Sequence, residues 1–175
     1  SLNKNSQSTH LIGCYALGKA QRVISLLRDS GYKETIFIHG ALEKICRYYM
    51  NNNVKLGNLE KISNLKDFDF KNNIVIAPPS ALKDRWSRRF KNKISSQASG
   101  WLSIKQRVKQ NQIEIPLVIS DHSDWNELTK TITNTRAEKV LLMHGNEEAL
   151  VYWCKKKGID AFPLSIHGMK EKVEK

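Results

Sequence analysis

With 175 residues, 40% of them hydrophobic and 26% charged, the chain reads as soluble and globular, with room for one ordinary domain or two small lobes. No apolar run approaches the roughly 20 residues of a membrane span, Ser1 to Thr9 shows no signal-peptide core, and the odd, dispersed set of cysteines argues for a reducing cytoplasm. The net charge of +12 points to polyanionic partners, while three dispersed cysteines (Cys14, Cys46, Cys154) without a CxxC pair read as buried filler and argue against a disulfide framework or zinc knuckle.

Leu11 to Leu17, broken only by Gly13, predicts a buried strand. Gly18 then turns the chain into a helix in which Ala20, Val23, Ile24 and Leu27 follow helical spacing, and Gly31 stops it. Thr35 to Ile38 is a second strand, and residues 41–52 form a second helix with Leu42, Ile45 and Tyr49 on one face. Ile74 to Ala77 is a third strand, ended by Pro78 and Pro79, neither of which continues a central ladder. This alternation predicts a parallel, doubly wound α/β layer.

A basic block follows. Residues 83–109 carry nine Lys/Arg and one acid, whereas residues 120–175 carry nine of each sign. Such a block attracts polyanions in a salt-dependent way; a solvated surface serving solubility is the alternative. Trp86, Phe90 and Trp101, interleaved with the charges, tilt the reading toward nucleic acid because they offer stacking or packing. Within the block, residues 81–90 predict a short helix, 95–104 a strand kinked at Gly100, and 107–115 a loop or edge strand.

The strand–helix rhythm then resumes. A strand is expected at 116–120, a helix at 121–135 opened by Asp and Ser caps, and a strand at 139–145. Residues 146–158 predict a helix capped by Asn146, with acids in its first turn and lysines in its last, as the helix dipole prefers. A short strand at 160–166 and a frayed tail close the chain. A lobe boundary is expected near Asn111–Pro116.

Two histidines sit at strand ends: His122 just past one strand and at a helix start, His144 at the end of the next. Ligands gather beyond the carboxyl ends of strands in open α/β sheets, and imidazole both binds metals and passes protons near neutrality. Asp121 and Asp124 flank His122 closely enough to fix its tautomer or raise its pKa. A capping or satisfied core histidine is the ordinary alternative for either. Gly18-Lys19 lacks the GxxxxGK[ST] frame of a phosphate loop, so a structural turn and a phosphate contact by Lys19 and Arg22 at a helix N-terminus both stay open.

The ordered set YALGKAQR (15–22), APPSA (77–81), ASGW (98–101), SDHSDW (120–125) and MHG (143–145), spread over 131 residues, resembles the pattern of ligase-associated DNA exonucleases. These belong to the β-CASP branch of the metallo-β-lactamase fold, with RNA 3′-end processing nucleases as relatives. The RRF at 88–90 also resembles a basic stretch preceding ASGW in that family. The resemblance implies a three-layer α/β fold with a mostly parallel doubly wound sheet. Residues 1–115 would form part of a β-CASP-like domain, and 116–175 a C-terminal βαβαβ segment of a metallo-β-lactamase-like domain. It implies a site with two metals, usually zinc, that polarise the scissile phosphate and generate hydroxide. His144 matches the third β-CASP motif, a metal ligand. His122, 22 residues earlier, matches the second, a histidine that protonates the leaving oxygen, and Asp124 matches the orienting acid after it. Within that picture Lys19, Arg22, Arg85, Arg88 and Arg89 are candidate phosphate contacts, and Ser99 and Gly100 approach the nucleic-acid backbone, where glycine costs no space.

The departure from the family is as informative. No HxHxDH occurs, and His10, His39 and His167 match no family ligand. One histidine cannot hold a catalytic zinc, which takes about three protein ligands. The expectation is therefore a fragment or degenerate gene product of a metal-dependent 3′-end exonuclease, acting on DNA rather than RNA and inactive alone. Its expected partners are nucleic acid, the missing metallo-β-lactamase half, and an ATP-dependent DNA ligase or another repair factor. Apolar surface exposed by the missing half offers a route to a homodimer. Two alternatives stand: a non-catalytic nucleic-acid-binding module of the same family, and a small nucleotide-binding α/β domain using Gly18 and Lys19.

Overall fold

Three short segments, β1 (Thr9–Gly13), β2 (Ile36–Ile38) and β4 (Ile74–Ala77), are buried at every position in the computed structural model, which describes residues 5–65, 68–145 and 147–164. That is why they read as near-continuous apolar runs: a central parallel strand covered on both faces has no solvent side. With β3 (Leu59–Lys61), β5 (Lys93–Ala98) and β6 (Ile115–Leu117) they build a six-stranded sheet in the order β3-β2-β4-β1-β5-β6, every pair parallel.

One face of the sheet packs on α1 (Lys19–Asp29) and α2 (Gly40–Asn51). Ile12, Ile36 and Ile76 from the strands meet Val23, Ile24 and Leu42 from the helices there. On the other face Leu11, Phe37 and Val75 lie under two 3-10 turns, Pro79–Leu82 and Arg85–Arg89, and under Phe70 and Phe90. Phe70 packs edge-on against Phe37 at 5.2 Å and against Phe90 at 5.3 Å. The result is the expected three-layer α/β arrangement. Arg28, in the last turn of α1, ties the loops at the other end of the helix layer. Its guanidinium donates to the carbonyls of Leu56, Tyr32, Glu34 and Asn58 at 2.6–2.9 Å. Gly57 passes so close that a Cβ there would lie 2.6 Å from Arg28 Nε.

The chain divides into two compact units, Ser1–Asp121 and His122–Lys175. This places the boundary after the expected one. Residues 96–98 of β5 pair in parallel with residues 115–117 of β6, so the strand assigned to the C-terminal segment belongs to the first sheet. The second unit holds α4 (Trp125–Thr135), β7 (Lys139–Leu142), α5 (Glu147–Lys156) and β8 (Asp160–Pro163), with β7 and β8 parallel. Among the described residues the expected βαβαβ segment is thus an α-βαβ. Asn146, the expected cap of α5, lies outside the described residues, as do Ser165 and Ile166 of the expected closing strand and His167.

Other expectations shift locally. β1 ends at Gly13, four residues short of Leu17, because the chain leaves the sheet there: Tyr15 and Leu17 are exposed, and Ala20 N–H donates to the Tyr15 carbonyl in the turn before α1. The helix expected at 81–90 is two 3-10 turns. Residues 95–104 divide into the end of β5 and a 3-10 turn at Gly100–Ser103, and the stretch after it forms a short α3 (Lys105–Gln110) where a loop or strand was expected. No helix among the described residues is long and apolar enough to cross a membrane.

All three cysteines are buried, and burial pushes the Cys14 thiol up to about 12. Two histidines of the first unit set a pH dependence. Burial lowers the pKa of His10, and burial with the Arg89 charge lowers that of His39. His39 Nδ1 accepts the Ala41 N–H at 3.0 Å at the start of α2, a bond only the unprotonated ring makes. Unfolding returns both imidazoles to about 6.5, so below that pH the unfolded chain binds more protons and the folded state loses stability until the lowered values are passed. The urea midpoint is expected to be lower at pH 5.5 than at pH 7.5. His39→Asn, which keeps a capping oxygen, should flatten that difference, and an unchanged pH profile in this variant would place the dependence elsewhere.

Candidate nucleic-acid interface

The order of the strands puts a topological switch point at the carboxyl edge of the first unit. β1 and β4 are neighbours, yet β1 leaves through α1 on one face and β4 leaves through the 3-10 turns on the other. Connections that part to opposite faces open a gap between them, the place where ligands bind in open α/β sheets. Gly13 shapes this edge: a Cβ on it would lie 2.8 Å from Leu82 Cδ2, so its absence lets the Pro79–Leu82 turn fold over the end of β1.

The basic turn Arg85–Arg89 follows. Asp84 caps it by accepting the Arg85 N–H, and Ser87 is buried, with its Oγ 2.9 Å from the donor Lys93 Nζ. Trp86 packs edge-on against His39 at 4.8 Å and against Phe90 at 5.2 Å. With positions 86, 87 and 90 turned inward, Arg85, Arg88 and Arg89 are left exposed. Of the three aromatics expected to stack or pack, Trp86 and Phe90 pack. Trp101 is 62% exposed, and the Arg107 guanidinium lies 4.3 Å from its ring centroid. This cation–π pair presents a charged, flat platform.

The other candidates of the first unit have structural duties. Lys19 is 4% exposed, with its ammonium 3.5 Å from Asp121 Oδ2 and 5.6 Å from the Tyr15 ring. Arg22 is exposed, but its Nη1 donates to the Ser120 carbonyl at 2.7 Å and lies 3.5 Å from Asp121 Oδ1. Ser99 Oγ accepts the Trp101 N–H at 3.3 Å, and Gly100 backs onto Ser120, whose Cβ would be 3.0 Å from a Cβ at 100. The space saved by glycine is taken by Ser120. Asp121 therefore holds both Lys19 and Arg22. Asp121→Asn is expected to release Arg22 and strengthen binding of a labelled single-stranded oligonucleotide about threefold in a low-salt anisotropy titration, the scale of one exposed ion pair. Unchanged affinity would mean that Arg22 never reaches the strand.

In the second unit, Asp124 is the N-cap of α4 in a capping box: its Oδ1 accepts the Glu127 N–H at 2.9 Å, and Glu127 Oε2 accepts the Asp124 N–H at 3.3 Å. The sequence shows this as Asp-x-x-Glu. His122 is exposed, two residues before that cap. His144 is exposed in the turn leaving β7, at φ +67°, followed by Gly145 at φ +84°. Histidine is among the side chains that adopt this left-handed region more readily, though at a cost. Among the described residues no three His, Cys, Asp or Glu side chains group so as to hold a metal. His144 by itself would supply one ligand, where a catalytic zinc takes about three from protein.

Tyr15, Arg107 and Asp121 complete this picture. Tyr15 is 65% exposed because β1 ends at Gly13, and the nearby Gly18 is the sequence signal of the turn. No family model matches the chain. A protein described as a probable DNA ligase from Opitutus terrae is 22% identical over 153 residues, which cover 86% of this chain. The chain spans only 14% of the length of that relative.

Proposed function

We propose that this chain contributes the nucleic-acid grip and part of the active site of a metal-dependent exonuclease of the β-CASP branch, with DNA as its substrate. The observation that carries the grip is the exposed Trp101–Arg107 platform in the same unit as Arg85, Arg88 and Arg89, all solvent-facing. Arginines take phosphates, and an aromatic face takes a base of any identity. The order of the five motifs supports the branch, and the name of the similar ligase supports DNA. In this reading His144 is one metal ligand, and its exposed, left-handed turn is the kind of outlier that functional sites hold. His122 donates a proton to the leaving oxygen. The remaining metal ligands come from residues outside this chain.

A second reading, a non-catalytic binding module of the same family, is favoured by Asp124, whose carboxylate is committed to capping α4. One pair of measurements tests both. The purified chain should bind a labelled single-stranded DNA with affinity that falls as salt rises from 50 to 200 mM, without cleaving it. The full-length gene product, supplied with zinc, should shorten the same strand from its 3′ end. Binding without any shortening by the full-length product selects the module; absence of salt-dependent binding removes both.

A further inference from the structure

The layer opposite α1 and α2 starts at the carboxyl end of β4 with the Pro79–Leu82 turn and returns to the amino end of β5 at Lys93. Where it returns, a cavity of about 220 Å³ opens to solvent, lined by Thr9 at the start of β1, residues 68–71 before β4 and residues 89–92 before β5. These segments are tied together. Thr9 N–H donates to the Asn92 carbonyl at 2.7 Å, Thr9 Oγ1 to the Phe70 carbonyl at 3.1 Å, and Asn72 N–H to the Ser8 carbonyl at 2.9 Å. Three cations line the cavity, Lys71, Arg89 and Lys91, and all three are exposed. One acid joins them: Asp69, whose Oδ2 lies 3.2 Å from Lys71 Nζ. The lining thus favours an anion.

Phe68 narrows which anion. It is 43% exposed in this cationic lining, and its ring lies 4.9 Å from that of Phe37 and 5.0 Å from that of Phe70. Two ring contacts hold it from inside, so the surface left to solvent is already ordered and a ligand stacking there loses little freedom. Cations beside an open aromatic face suit a single-stranded nucleic acid, whose phosphates take the charge and whose bases stack whatever their identity. An inorganic anion would leave the ring unused, and an apolar ligand would leave the cations unused. Arg89 belongs to the basic turn and also lines this cavity, so the two basic surfaces are continuous. We propose that the single strand gripped at Arg85–Arg89 continues over this cavity, with one base on Phe68 and the adjoining phosphates on Arg89, Lys71 and Lys91. The inference rests on the nucleic-acid reading above and adds to Trp101 a second stacking point.

Anisotropy titrations of the purified chain with a labelled oligothymidylate of about 15 nucleotides test it. Phe68→Leu keeps an apolar side chain against Phe37 and Phe70 but has no flat face, and it should weaken binding about tenfold, the scale of one stacked base. Phe68→Tyr, which keeps the face, should bind like the unaltered chain. Lys71→Gln with Lys91→Gln should flatten the plot of log affinity against log salt by about 1.4, two phosphates at about 0.7 each. Lys44→Gln with Lys55→Gln, exposed lysines of the same unit, should leave the slope unchanged. With 5-iodouracil in the strand, light should crosslink it to the peptide that carries Phe68. If Arg85→Gln with Arg88→Gln weakens binding while Phe68→Leu and the Lys71, Lys91 pair do not, the grip stands and this path for the strand is wrong. Equal losses in Phe68→Leu and Phe68→Tyr, equal flattening by both lysine pairs, or no crosslink at Phe68 would each overturn it as well. An unaltered chain that binds no strand removes the grip and this path together.

Discussion

Replacing Arg85, Arg88 and Arg89 together by glutamine is expected to weaken single-stranded DNA binding by about 10²-fold at 50 mM salt and to flatten the plot of log affinity against log salt by about 2. Each phosphate neutralised on a single strand contributes about 0.7 to that slope, so three contacts give the change in slope, and at 50 mM salt each is worth somewhat less than a decade of affinity. The substitution leaves the turn intact, because Trp86, Ser87 and Phe90 hold it from inside and Lys93 bonds Ser87. A matched control removes the same charge from the exposed Lys155, Lys156 and Lys157. Anisotropy titrations should show little loss for that control. Equal losses in both variants would reduce the basic block to a solubility feature.

What could be read beforehand follows from which forces act locally. β2, β4 and the two long helices of the first unit were legible, since a fully buried parallel strand is an apolar run and α1 and α2 bury periodic stripes. β3 was missed because Leu59–Lys61 is a three-residue, half-buried edge strand with no apolar run to signal it. β6 was found but assigned to the wrong unit, because its partner β5 is decided by tertiary pairing and not by chain rhythm. The site was legible in kind more than in detail. Charge density singled out Arg85, Arg88 and Arg89, which are exposed, but it could not show that Asp121 engages both Lys19 and Arg22, or that Gly100 makes room for Ser120. Those facts depend on contacts about 20 or 100 positions apart in the chain. Asp124 shows how one residue satisfies two readings: the Asp-x-x-Glu spacing announces a capping box as clearly as the flanking histidine suggests catalysis.

The two units are expected to respond very differently to the same kind of truncation. Ile76, fully buried in β4 between β2 and β1, packs into the core under α1 and α2. Ile76→Ala removes buried methylenes and leaves a cavity that the close-packed sheet cannot collapse around, at a cost of about 3–4 kcal/mol. For a unit of this size that lowers the melting temperature by about 10–15 °C. In the second unit the described residues bury only Cys154 and Ala161, while Trp125, Leu128, Leu141 and Met143 are 40–57% exposed. Leu128→Ala on α4 is therefore expected to cost less than about 0.5 kcal/mol, within the range of surface substitutions. Amides of β7 and β8 should exchange with solvent well before those of β1 and β4, since a unit with so few buried apolar contacts opens at low free energy. If Leu128→Ala costs as much as Ile76→Ala in urea titrations of the purified chain, the apolar side of α4 is buried in solution and the second unit has a core of its own.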